Sequence, residues 1–519
     1  MNKNIFKPLS RTLYTLVAFL ALSLPSLAYD FQESGICFNI LESSDGSHVV
    51  EVTDGGDDVR YAGEMVIPQT VVHEGVEYRV AAIGERAFLG CSELTALSIP
   101  EGVERIGQYA FRKCSVTEIS LPASLREVED YAFRNFEKLE RLDIAEGVTH
   151  LGSFAFSNCL SLKSAVLPAS VNHYGNGLFH RCTALEEVSI KGRMDRLTDY
   201  FLSDCASLAA FTIPEGVKEI GDGAFSGCES IRTMVVPSDV TTIGKECFAK
   251  CGSLASIDLP VELTSMGKDV FNGCVALERV TLPEKLSSIP EGAFCLCKGL
   301  AEIHIPNSVS HIGSRAFSNC SSLNRIDLPS SLRTMGVQAF GNCSSLTSVS
   351  LPIGLTVIPS LAFEDCVSLS TVDIPDGVSE IGLGAFFSCS SLTSISIPGS
   401  VEKILYSAFF NTSLASIRSY GEIPPLTEDQ SFNNFDTDLY VPSGTMKAYK
   451  SHPVWGYFKN ILEMDAATLG VKPPLNSNSL SDGTPTDSPV IPYDLQGRQL
   501  AAPPTHGMYI QNGRKYIVK

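Results

Sequence analysis

Sixteen cysteines and nine histidines are the residues from which this chain could assemble chemistry. In an exported protein so many thiols would suggest a disulfide framework, and thiols beside imidazoles can ligate zinc or supply a nucleophile and its base. Their placement argues against all three. Thirteen of them (Cys91, Cys114, Cys159, Cys182, Cys205, Cys228, Cys251, Cys274, Cys297, Cys320, Cys343, Cys366 and Cys389) fall at one position of a repeating unit, and an odd number in one column cannot pair completely. A ladder of buried thiols is the simpler reading, because cysteine packs as a small apolar residue with a weak donor. Of the three outside the column, Cys37, Cys247 and Cys295, none stands in C-x-x-C spacing. His304 and His311 lie seven apart in one unit, which places them on a strand and its following loop rather than in a dyad. Glycines occur singly, not as a phosphate-binding loop. The chain is therefore expected to have no catalytic residue, no metal and no cofactor.

The unit that positions these residues is 23 long. Phenylalanine recurs at Phe88, Phe111, Phe133, Phe156, Phe179, Phe225, Phe248, Phe271, Phe294, Phe317, Phe340, Phe363, Phe386 and Phe409, with Leu202 in the one gap, which makes fifteen units. One step, after Cys114, is 22 residues. In the unit beginning at Leu323, the residues Leu323, Ile326 and Leu328 read as a short strand pointing inward, Pro329 ends it, and Gly336 supplies a turn. Phe340 and Cys343 then fill the interior. A unit of this size cannot bury its own apolar face, so the units must stack with their strands in parallel.

The pattern I-P-x-x-V-x-x-I-G-x-x-A-F-x-x-C-x-x-L, intact at residues 213–231 and 305–323, resembles the BspA-like class of bacterial leucine-rich repeats. The resemblance implies a parallel leucine-rich repeat solenoid with loops or short helical or 3-10 turns opposite the sheet. It also implies adhesion to host or bacterial surface proteins as the function.

Around residues 83–419, the solenoid, the chain divides further. Lys3, Lys7 and Arg11 precede an apolar run and the small-residue pattern Ser26-Leu27-Ala28, so 1–28 reads as a signal peptide. Alternating residues in 29–82 read as a β-rich cap, and 420–464, with Tyr449, Trp455, Tyr457 and Phe458, as the cap at the other end. Residues 465–489 are a Pro- and Ser-rich linker. The final stretch, 490–519, with Tyr493-Asp494-Leu495-Gln496-Gly497-Arg498 and Gly507-Met508-Tyr509-Ile510, resembles the C-terminal sorting domain of the type IX secretion route, which implies export to the outer-membrane exterior of a Bacteroidetes-type bacterium.

The net charge of -19 becomes -22 once the three N-terminal cations leave, so nucleic acid and anionic lipid are not expected partners. No later segment reads as membrane-spanning, and a monomer is expected. Down the outward strand position run Ser98, Ser120, Asp143, Val166, Ser189, Thr212, Val235, Asp258, Thr281, His304, Asp327, Ser350, Asp373 and Ser396. Seven hydroxyls and four acids there suit an extended polypeptide more than a sugar ring. One unit breaks the pattern: at Lys191-Gly192-Arg193-Met194-Asp195-Arg196 the strand-ending Pro and the turn Gly are missing, and Lys191, Arg193 and Arg196 gather as a candidate site. Protein binding or adhesion at the cell surface is the expected function. The alternative is a glycan-capture protein using the aromatic residues around Tyr449 and Trp455, and a hydrolase is the third and weakest reading.

Overall fold

The structure is a computed structural model that describes residues 29–464, apart from 44–45, 57–59 and 118, together with the backbone of 492–493, 507–511 and 514–518. Its larger unit is a solenoid of about seventeen turns. Each turn has three sides. One carries the expected ladder of parallel strands, among them Arg141–Asp143, Ser164–Leu167 and Glu187–Ile190, paired 23 residues apart. At the far end it continues through Ser394–Ile397, Ser416–Ser419, Asp438–Pro442 and Asn460–Met464 with a 22-residue spacing.

The second side is another parallel ladder, built from two-residue strands such as His150–Leu151, Glu219–Ile220 and His311–Ile312. The sequence reading assigned one strand to each unit and missed this one, because two residues are too few to show a period of two. The glycine that follows most of the short strands has a different role from the one expected. Gly336 does not have positive φ. A Cβ on it would lie 2.2 Å from the Ser314 amide nitrogen, so its necessity is close approach to the turn before it. Its N–H donates to the Ile312 carbonyl, 2.8 Å away. Where that residue is Thr198, Pro290 or Pro359, the short-strand ladder breaks, giving separate sheets on either side. Proline has no N–H to give, and Thr198 uses its hydroxyl instead, 2.8 Å from the Gly175 carbonyl.

Turns form the third side. The Phe340 N–H reaches the Ala362 carbonyl (2.9 Å), and the Gln338 N–H the Ser360 carbonyl (3.0 Å), so this side is also hydrogen-bonded from turn to turn. Residues two before and two after the phenylalanine sit at positive φ, as at Gln338 (58°) and Asn342 (62°). From Phe88 to Phe409 this holds at every turn, whatever residue occupies the position.

Between the sides lies the core. Rings from Phe225 to Phe432 stack face to face at 5.2–5.6 Å between centroids, and a second stack runs from Phe88 to Phe179. Leu202 separates them, with Phe201 turned edge-on to Phe179. Phe432 extends the series one unit beyond the last phenylalanine recognised in the sequence. Burying each such ring contributes about 1.5–3 kcal/mol before its entropy cost.

Tyr61 covers Phe88 at one end of the stack, 4.9 Å between centroids. At the other, Trp455 and Phe458 close over Phe432 at 5.2 and 5.4 Å. Met446–Ser451 and the 3-10 turn Trp455–Tyr457, which carry this closure, are the helical segments among the described residues.

The second unit, beyond residue 465, holds an antiparallel sheet of Pro492–Tyr493, Gly507–Gln511 and Arg514–Val518. The rest of the sorting-like segment, and the proposed signal peptide and linker, lie outside the described residues.

Candidate protein-binding surfaces

The cysteine column is structural. In twelve turns the thiol donates to the carbonyl 26 residues earlier, from Cys114 to Phe88 (3.0 Å) through Cys389 to Phe363 (3.1 Å). Each bond satisfies a buried carbonyl that faces the core from the turn before. All sixteen cysteines are free and fourteen are buried, leaving Cys91 and Cys295 partly exposed. The neighbouring Cys114 side chain holds the Cys91 pKa down, whereas burial pushes Cys295 up. A thiol reagent applied to the native protein at pH 8 is therefore expected to label Cys91 first and Cys295 slowly. The other fourteen should react only after denaturant is added; rapid labelling of four or more would contradict the burial.

The outward strand positions are all at least partly exposed, from Ser98 to Ser396, including Asp143, Ser189, Thr212, Asp258, Thr281, His304, Asp327, Ser350 and Asp373. Two of the acids are already engaged: Arg141 contacts Asp143 at 2.7 Å and Arg325 contacts Asp327 at 3.2 Å, in each case two residues along the chain. These pairs are well exposed and add little stability. His304 and Asp327 form an isolated parallel bridge at the edge of a cleft of about 480 Å³ that also includes Arg279, Thr281, Asn324 and Arg325. His311 lies on the other ladder, 2.7 Å from the Thr334 hydroxyl, so the two histidines make no dyad. Beyond Ser396 the same column continues with Arg418, whose guanidinium lies 5.3 Å from the Tyr440 ring centroid.

The irregular unit separates into two parts. Arg196 is committed to Asp199 (2.6 Å) and Glu219 (3.0 Å), bracing the short-strand ladder beside the missing glycine. Lys191 and Arg193 are exposed, with no ion-pair partner among the described residues. In place of the usual proline, Lys191 donates its N–H to the Leu167 carbonyl of the preceding turn at 3.0 Å. The next turn then fails to join the long-strand ladder, which stops at Glu187–Ile190 and resumes at Thr233–Val235. Among the described residues, 209–212 carry no backbone hydrogen bond. A cleft of about 650 Å³ opens there, floored by Phe211, Ile213 and Pro237, with Val235 67% exposed at its rim. Nothing in the composition of 209–212 announces this gap; the only sequence signal was the lost proline and glycine one turn earlier.

Of the aromatic cluster on which the glycan reading rests, only Tyr457 is exposed; Tyr449, Trp455 and Phe458 are buried. Tyr449 and Trp455 are both 0% exposed. The Tyr449 hydroxyl bonds Ser419 and the Gly421 carbonyl, and the Trp455 indole donates to the Pro425 carbonyl at 3.0 Å. They close the solenoid's end.

Three overlapping stretches, 81–209, 196–324 and 310–436, match the family model described as BspA type leucine-rich repeat region. The chain belongs to the BspA-type leucine-rich repeat family. Among solved structures, this BspA-type chain resembles a leucine-rich repeat protein from Bacteroides ovatus, at 27% identity and a TM-score of 0.55, covering 72% of this chain and 96% of that one. A leucine-rich cell surface protein from Faecalibacterium prausnitzii matches at 25% identity and a TM-score of 0.42, over 77% of this chain and 96% of that chain. The pneumococcal vaccine antigen PcpA matches at 17% and 0.41, over 85% and 100%. No functionally curated protein matches the chain. Among the described residues of this BspA-type protein, no helix is long and apolar enough to cross a membrane, and no group of three or more His, Cys, Asp or Glu side chains is arranged to hold a metal ion.

Proposed function

We propose that this protein is a non-enzymatic binding protein of the bacterial cell surface, which holds an extended segment of an extracellular protein against its long-strand face. The observation that carries the reading is the gap at residues 209–212. Backbone donors and acceptors stand free there beside an apolar cleft, flanked by the unneutralised cations Lys191 and Arg193. Free strand backbone next to side-chain pockets is the arrangement by which proteins take up an added strand. Rigid flanking turns keep the ordering cost of the receptor low. The polar columns on either side extend the contact along the axis. Membership of a family with members named as surface proteins supports the location, as does the leader-like N-terminus.

The test is surface plasmon resonance of the purified full chain against immobilised extracellular-matrix proteins and, in parallel, a glycan array. Saturable binding to a protein is expected, and the double variant Lys191→Ala, Arg193→Ala is expected to weaken it about tenfold, equivalent to about 1.4 kcal/mol, mainly through slower association. Unchanged affinity in that variant removes the site. Binding to glycans alone removes the function.

A further inference from the structure

On the turn side of the first units, a row of cations has been left without partners in a strongly acidic protein. The guanidinium of Arg112 lies 5.4 Å from the Tyr109 ring centroid, and that of Arg134 lies 5.4 Å from the Tyr131 centroid. Neither makes an ion pair or hydrogen bond with any described residue, and Lys113 and Arg181 beside them are exposed and equally unpaired. Elsewhere the acidic side chains have found Arg79, Arg105, Arg141, Arg196, Arg315 and Arg325.

The rings beneath these arginines are an ordered set. Tyr109, Tyr131 and Phe154 occupy the position two before the core phenylalanine and stack at 5.0 and 5.5 Å, all partly exposed. Each of the two tyrosines sits at positive φ, as does Phe154. A bulky residue in that conformation is costly, by about 1–2 kcal/mol. The stack ends at Gly177, whose absent side chain leaves room for the Phe154 ring. Because the rings face one another, they present edges to the solvent, and the edge of an aromatic ring is its positive part.

A second observation falls on the same strip. Five buried side-chain polar atoms in the described residues lack a partner, and four of them, on Arg112, Arg134, Ser157 and His180, occupy one column in four consecutive turns. His180 packs edge-on to both Phe154 and Tyr200. These atoms lie beneath the surface, so what the strip offers outward is the unpaired guanidinium groups and the ring edges.

From the unpaired guanidiniums and the edge-on ring ladder, we infer that the turn side of the first five units is a second interaction surface, which binds an acidic polypeptide segment. Carboxylates of the segment take the guanidiniums of Arg112 and Arg134 in charge-assisted bonds. Its aromatic or aliphatic side chains lie against the edges of Tyr109, Tyr131 and Phe154. Its amides meet groups able both to give and to accept, including the Asn135 and Asn158 side chains. A heavily sulfated glycan fits less well, because it has no aromatic or aliphatic side chains to lie against the edges of the ring ladder. This surface is independent of the strand-face gap and does not rest on it.

The experiment is fluorescence anisotropy of the full chain with a fluorescein-labelled random Glu–Tyr copolymer, with heparin as competitor. Saturable binding that weakens with salt is expected, and the variant Arg112→Gln, Arg134→Gln is expected to lose at least about tenfold in affinity. The variant Arg141→Gln, Arg325→Gln removes equal charge from the strand face and is expected to bind as the wild type does, as is Lys191→Ala, Arg193→Ala. Absence of saturable binding, equal loss in the strand-face variant, or preference for heparin overturns the inference. Should the Arg112 and Arg134 variant not fold, the wild-type chain is treated with phenylglyoxal with and without the copolymer, and both arginines mapped by mass spectrometry. Protection of Arg112 and Arg134 supports the site; modification at the same rate in both samples rejects it.

Discussion

Under reducing conditions the solenoid is expected to lose stability steeply above pH 9. Burial pushes the thiols of Cys182, Cys205, Cys228, Cys247, Cys274, Cys297, Cys320, Cys343 and Cys389 well up, and those of Cys251 and Cys366 to about 12. In an unfolded chain the same groups ionise near their ordinary value of about 8.5. Below that pH both states hold the proton and the contribution is constant. Between there and the folded-state values only the unfolded state releases it, so the folded state loses about 1.4 kcal/mol per pH unit for each thiol. Summed over the solenoid, this slope is on the order of 10 kcal/mol per pH unit. Urea unfolding followed by circular dichroism at pH 8, 9 and 10 measures it. A midpoint independent of pH over that range would mean that the cysteines are not buried thiols. Replacing Cys320, Cys343 and Cys366 by serine is expected to reduce the slope by about 4 kcal/mol per pH unit, since serine does not ionise there.

Phe340→Ala is expected to cost about 3–5 kcal/mol, measured as a fall in the urea midpoint. The ring is wholly buried and stacked on both faces, against Phe317 at 5.2 Å and Phe363 at 5.6 Å, so its removal leaves a void that two rigid neighbours cannot close. In a solenoid each turn is stabilised chiefly by the turns on either side, and the void therefore weakens two interfaces at once. Phe340→Leu is expected to cost markedly less, because the chain already carries Leu202 at this position with Phe201 turned in beside it. A loss below about 1 kcal/mol for the alanine variant would show that the stack contributes little.

The repeat, its length and its core were legible because every unit writes the same residues at the same offsets: Phe340, Cys343 and Leu346 are core in this turn because their counterparts are core in the next. Even the hydrogen-bonding role of the cysteines followed from their constant place. Phe432 was overlooked, although it stands 23 residues after Phe409, because the residues around it no longer follow the motif. The short-strand ladder was missed for a different reason: its strands are too short for a pattern, and the N–H of Gly336 that binds them together is the same in every glycine.

What the sequence alone determined, then, is which residues face inward and that the units must stack, since burial of an apolar face is set by residue type and period. It did not determine the surfaces. Whether Arg196 is free, whether residues 209–212 find a strand partner, and whether Tyr109, Tyr131 and Phe154 form one ladder are decided by contacts between residues about one turn of the solenoid apart. Only the tertiary structure brings those residues within hydrogen-bonding or stacking distance, and short-range forces act on that distance rather than on the order of the chain.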